Sequence, residues 1–270
     1  MRLATLGTAN LRAEDSRAAG PRLEEVDALR GVAIVMMVIY HLMWNLLFFG
    51  LVTNIALQSG FWKYFQRTTA STFIFLVGVS LVLSYNRLCQ KGFDDFAIFQ
   101  RFLGRGLRIF GFGMVIGLIV RLAGTGSVDF GVLHLIGFAI IAAYPFLRLI
   151  WVNIGLWAIL NIGGFFLQSM IVETKWLVWL GFKPPFYTYV DYFPVIPWLG
   201  VVLLGVGVAN LLYAQNQRTF SLPTVLPQFL TRVLQTLGRR SLLIYLLHQP
   251  LLFGGLTVLL YFITMLGYGA

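Results

Sequence analysis

Asp27-Ala28-Leu29-Arg30-Gly31 is followed by Val32 to Ile39, every residue apolar, and then by Tyr40-His41. A run of this kind reads as a membrane-spanning helix with a charged pair at its mouth and an imidazole inside. At 1.5 Å per residue, His41 lies roughly 16 Å beyond Arg30, near the middle of a bilayer. Eleven residues are close to three full turns, so Arg30 and His41 share a face. An ionisable group at that depth is costly in lipid. It faces a bundle interior, where it marks a functional site by default.

Composition extends this reading to the whole chain. Of the 270 residues, 59% are hydrophobic and 11% charged, and mean hydropathy is +0.82. A soluble domain carries about 25% charged residues, so this is an integral membrane protein. The net charge of +10 does not indicate nucleic acid; the basic residues sit between spans, where they set topology. The one cysteine, Cys89, excludes an internal disulfide. Residues 1–22 are polar, lack the apolar core of a cleavable signal, and read as a disordered cytoplasmic tail. Residues 23–270 read as a single transmembrane domain.

The fold class expected is all-α: a polytopic bundle of about seven spans, at 31–49, 68–86, 106–122, 130–147, 150–171, 194–213 and 242–266. With the N-terminus inside, 15 of the 20 basic residues fall on the inner side, against Lys63, Arg67, Arg121, Lys175 and Lys183 outside. That asymmetry fixes the orientation and places the C-terminus outside. Two stretches read as interfacial helices: Phe93, Phe96, Phe99 and Leu103, and then Val225, Leu226, Phe229, Val233 and Leu237. The glycines of the third and sixth spans, including Gly113-xxx-Gly117, read as close helix packing. No internal repeat of the kind common in transporters is visible.

All three histidines fall within spans. In the last span, Ser241, Tyr245 and His248 are spaced i, i+4, i+7 and share a face, with Gln249 and Pro250 beside them. His134 sits near the outer end of the fourth span. A single histidine can be a helix tether, but three of them with Asp27, Arg30, Asn45, Tyr245 and Gln249 point to a polar cavity lining. No metal is expected. A site needs three or four converging ligands, the chain has no HxxxH or HxxE pair, and His134 lies at a different depth from His41. A neutral imidazole in a cavity suits general-base or acyl-transfer chemistry. Among the inner arginines, Arg30, Arg87, Arg105, Arg108, Arg239 and Arg240 are candidates to hold the phosphates of a cytosolic nucleotide donor such as coenzyme A. Arg30 leads, because it shares the His41 face.

Four motifs, in order, resemble a known family. They are Asp27-x-x-Arg30-Gly31 with the run to His41; Phe73-Ile74-Phe75-Leu76-Val77-Gly78-Val79-Ser80; Gly131-Val132-Leu133-His134-x-Ile136-Gly137; and Gly238-Arg239-x-Ser241-Leu242-x-Ile244-Tyr245-x-x-His248. Together they resemble the catalytic domain of heparan-alpha-glucosaminide N-acetyltransferase, and more closely its small bacterial relatives of unknown function, the DUF1624 group. The spacing of Arg30 and His41 is also similar to the first-span signature of acyltransferase-3 membrane enzymes.

The resemblance implies an acyltransferase of the cell (inner) membrane. Acetyl-CoA, or another acyl-CoA, would enter from the cytosol, and a carbohydrate or glycolipid acceptor would come from the other side. His41 and His248 would be catalytic, with Asn45 or Tyr245 steadying the oxyanion. Asp27, Arg30, Arg105, Arg108, Arg239 and Ser241 would serve the coenzyme, and His134 and Gln249 the acceptor. Two departures bear on this. The lysosomal enzyme has asparagine where His41 falls, so the His41 role follows the acyltransferase-3 spacing and burial. The larger relatives carry about ten or eleven spans, so this chain is a minimal core or one completed by a partner or homodimer. Membrane lipids are the other expected partner.

Two other classes fit the same polar lining: a transporter or flippase, and a non-catalytic protein on a degenerate acyltransferase scaffold. Acetyl-CoA binding separates the first, and turnover lost on His41→Ala without loss of folding separates the second. A retinal photoreceptor is excluded, because no lysine follows Lys183.

Overall fold

The computed structural model describes residues 23–124, 126–167, 169–182, 184–185, 191–213, 216–221 and 227–266. The tail at 1–22, Lys183, Val225 and Leu226 lie outside the described residues. Among the described residues the chain forms eight α-helices: α1 (Glu24–Phe48), α2 (Gly60–Gln90), α3 (Asp95–Leu122), α4 (Val132–Ala142), α5 (Trp151–Leu167), α6 (Val195–Leu212), α7 (Gln228–Arg239) and α8 (Ser241–Met265). Two 3-10 segments, Tyr144–Phe146 and Lys175–Leu180, lie between them. No strand forms among the described residues; the single Phe130–Tyr192 bridge is isolated.

Helices α1, α2, α3, α6 and α8 are long and apolar enough to cross a membrane. The fourth and fifth expected spans form shorter helices, α4 and α5, of 11 and 17 residues. The apolar run 130–147 does not stay helical throughout: α4 stops at Ala142, and Pro145 sits in the 3-10 turn that follows. Helix starts also move outward from the apolar runs. α1 begins at Glu24 because Glu24, Glu25 and Asp27 fill its first turn, where the helix dipole favours negative charge. α3 begins at Asp95, capped by Asp94, whose carboxylate accepts the Ala97 N–H at 2.9 Å. The aromatic stretch Phe93–Leu103, expected as a separate interfacial helix, is therefore mostly the first turns of α3.

The chain divides into two compact units, one comprising Ile74–Ser221 and the other Leu23–Phe73 with Leu222–Ala270. In the first unit, α3 and α4 cross on glycine. A Cβ on Gly106 would meet the Gly137 carbonyl at 2.8 Å, and one on Gly137 would meet the Phe110 nitrogen at 2.6 Å. Close helix packing, the role expected of the third-span glycines, holds for Gly106, whereas a Cβ on Gly104 or Gly111 would meet nothing within 4 Å. Asp95 gathers three elements. Its carboxylate accepts Tyr85 Oη at 2.9 Å and Arg148 Nη2 at 3.1 Å, and its carbonyl accepts Tyr144 Oη at 2.7 Å.

The second unit joins the two ends of the chain. α1 packs against both α7 and α8. Gly31 lies directly under the Leu234 carbonyl, and Gly238 under the Asp27 carbonyl. Any side chain at either position would strike backbone, so the two helices cross at van der Waals contact. α7 had been expected to rest on the headgroup layer. Its Phe229 and Val233, on the face expected there, are exposed, and the opposite face, with Leu234, Gln235 and Gly238, is buried against α1.

Candidate active site

The crossing of α1 and α7 holds an ionic cluster. Arg30 Nη1 donates to Asp27 Oδ1 at 3.2 Å, and Arg239 Nε lies 3.5 Å from Asp27 Oδ2. Arg239 Nη2 also donates to Gln235 Oε1 at 3.4 Å, and Gln235 Nε2 donates to Glu24 Oε2 at 3.2 Å. The first and last sequence motifs thus meet on Asp27, which sits between two cations. Gln235 and Glu24 were not singled out in the sequence.

Deeper along α1, His41 faces α8. The His41 and His248 rings meet edge to face, with centroids 4.7 Å apart. Tyr245 flanks His248 at 5.6 Å, and Tyr40 flanks His41 at 5.8 Å. One turn further, Gln249 Nε2 donates to Asn45 Oδ1 at 3.0 Å. Asn45 is fully buried. Pro250 lies within α8 and provides no N–H for the Leu246 carbonyl in the turn that carries His248.

The hydrogen bonds fix the imidazole tautomers. His41 Nδ1 lies 2.9 Å from the Met37 carbonyl, and His248 Nδ1 lies 2.6 Å from the Tyr245 carbonyl. A carbonyl only accepts, so each Nδ1 carries the hydrogen and each neutral ring keeps its lone pair on Nε2. His248 Nε2 is buried and has no partner among the described residues. Nor have Asn45 Nδ2 and Gln249 Oε1. Reversing both amides exchanges their roles and still leaves one donor and one acceptor over. The seam between α1 and α8 thus holds a basic nitrogen, a spare N–H and a spare carbonyl. Buried polar atoms are seldom left unsatisfied without a reason, and a bound substrate supplies one.

The remaining sequence candidates belong to the first unit or stand at the edge of the seam. Ser241 opens α8. His134 caps α4: its Nδ1 accepts the Gly131 N–H at 3.1 Å. Its ring lies against Phe110 and Phe130, with centroids at 5.0 and 5.6 Å, and over Gly113. That is a structural tether, with the tautomer opposite to that of the other two histidines. Arg105 and Arg108 lie on the exposed surface of α3. Among the described residues, no three His, Cys, Asp or Glu side chains gather to hold a metal.

These features define a polytopic helical membrane protein with a paired-imidazole site sunk between α1 and α8. Residues 22–250 match the family model for heparan-alpha-glucosaminide N-acetyltransferase, catalytic. The chain belongs to that family. No curated protein and no solved structure matches it.

Proposed function

We propose that the chain is an acyltransferase that moves an acetyl group from acetyl-CoA to an amine or hydroxyl of a sugar-like acceptor. The observation that carries this reading is the His41–His248 pair, with Nε2 of each ring basic and unsatisfied amide groups one turn away. In this mechanism the acceptor gives its proton to an Nε2 of the pair as its lone pair attacks the thioester carbonyl carbon. The Asn45 N–H meets the oxyanion that forms. The C–S bond then breaks, and the thiolate leaves with the proton returned from the imidazolium. Acetylated acceptor and free coenzyme A are the products, and no group remains on the protein.

Arg30 and Arg239 suit the coenzyme phosphates, with Asp27 holding both guanidiniums in place. Gln249 Oε1 suits an acceptor hydroxyl. The orientation follows the basic residues: seven spans in the inner membrane, N-terminus inside and C-terminus outside. The coenzyme then arrives from the cytosol and the carbohydrate acceptor from the opposite face.

Thermal unfolding of detergent-purified protein tests the donor. Acetyl-CoA at about 100 times its dissociation constant adds roughly 2.7 kcal/mol to apparent stability. The wild type should show a shift that Arg30→Ala shrinks. A folded sample that shows none at millimolar acetyl-CoA contradicts the reading and favours a transporter or scaffold.

A further inference from the structure

A second site lies on α3, in the first unit. Arg101, Arg105 and Arg108 are spaced i, i+4, i+7, so they stand above one another on one stripe of the helix. With Ser84 and Leu88 of α2 and Gln100, they line a cavity of about 380 Å³. No acidic side chain is part of that lining. The nearest acids in sequence are Asp94, which caps α3, and Asp95, which is engaged by Tyr85 and Arg148. Arg101 also lies over the Phe93 ring at 4.1 Å.

The same stripe continues down the helix as Phe112, Val115, Ile119 and Leu122, all exposed, the last three at 55%, 58% and 78%. From Phe112 to Leu122 the helix rises about 15 Å, the depth of one leaflet's hydrocarbon. The adjacent stripe, Phe102, Gly106, Ile109 and Gly113, is buried. Topology alone asks only that basic residues lie on one side of the membrane. It does not ask that three of them share a stripe, line a cavity with a hydroxyl and an amide, and run straight into an apolar track.

We infer that this stripe binds an anionic phospholipid. The phosphate sits among Arg101, Arg105, Arg108, Ser84 and Gln100, and one acyl chain lies along Phe112, Val115, Ile119 and Leu122. Guanidiniums provide the forked donors that phosphate oxygens accept. A lipid is the occupant that uses both halves of the stripe, since a soluble phosphate compound has no use for the apolar half. Arg105 and Arg108 then serve the membrane and not the coenzyme, and the inference is independent of the proposed transfer reaction.

The test uses the full chain in neutral detergent, titrated with tail-labelled fluorescent phosphatidylglycerol and with the matching phosphatidylcholine. Wild type should prefer phosphatidylglycerol at least tenfold. The triple variant Arg101→Gln, Arg105→Gln, Arg108→Gln should lose that preference. The corresponding triple lysine variant, and a control carrying Arg121→Gln and Arg232→Gln, should keep most of it. Millimolar acetyl-CoA or inorganic phosphate should leave the wild-type binding in place, a measurement that needs no variant to fold. Equal binding of the two lipids, or a preference that survives the triple glutamine variant, overturns the inference. Displacement of the labelled lipid by acetyl-CoA also overturns it and makes the stripe a coenzyme site.

Discussion

His41 on α1 and His248 on α8 meet edge to face, with ring centroids 4.7 Å apart across 207 residues of sequence. Each donates Nδ1–H to a carbonyl of its own helix, from Met37 and Tyr245 respectively. Both therefore present Nε2 as the basic nitrogen, whereas His134 accepts a backbone N–H at Nδ1 and holds its hydrogen on Nε2. Nitrogen-15 spectra of histidine-labelled protein, assigned with single His→Ala variants, should show two rings of one tautomer and one of the other at neutral pH. Three alike contradicts the hydrogen-bond pattern.

The Asn45–Gln249 hydrogen bond joins α1 to α8 beside that pair. Interhelical hydrogen bonds in membranes couple by roughly 0.6 kcal/mol on average, reaching about 1.7 kcal/mol. Asn45→Leu and Gln249→Leu should each lower stability, and the double variant should lose less than the sum by about that coupling. Denaturant unfolding in mixed micelles measures the cycle. Simple additivity means that the two amides do not pair.

Gly31 and Gly238 set how closely α1 and α7 approach. Gly31→Ala or Gly238→Ala should cost about 1–3 kcal/mol, the usual penalty for overpacking a close-packed contact. Gly155→Ala, where a Cβ meets nothing within 4 Å, should be neutral or stabilising. Melting temperatures of the three variants check this, and similar values for all three refute the crossing.

Asp27 holds Arg30 at 3.2 Å and Arg239 at 3.5 Å, with its own side chain 16% exposed. Asp27→Asn leaves two guanidiniums facing a neutral amide and should destabilise by about 1.5–3 kcal/mol, the range for hydrogen bonds to charged groups. Asp27→Glu should recover part of that loss. Thermal unfolding at low ionic strength makes the comparison. An unchanged Asp27→Asn variant shows that the cluster does not support the fold.

Much of the site was legible because helical spacing is local. The shared face of Arg30 and His41, and that of Ser241, Tyr245 and His248, followed from residue numbers alone. The pairing of α1 with α7 was not legible. It rests on glycines meeting carbonyls some 200 residues away, and a glycine in an apolar run carries no mark of its partner. The short α4 was hidden for a different reason. Apolar composition reads alike in a spanning helix and in buried irregular backbone, and Tyr144-Pro145 ended the helix inside the run. His134 looked like His41 in sequence, and only the Gly131 N–H at its Nδ1 showed it to be a cap.

The most direct test is acetyl transfer by the purified protein in liposomes, using radiolabelled acetyl-CoA and a panel of amino sugars. Wild type should release free thiol and label an acceptor. His41→Ala and His248→Ala should each lose about 10²–10⁴-fold in turnover while keeping a cooperative melt, the range for removing a general base. The double variant should be little worse than either single, because the two rings act as one unit. Undiminished transfer by the double variant would contradict the assignment of the chemistry to this pair.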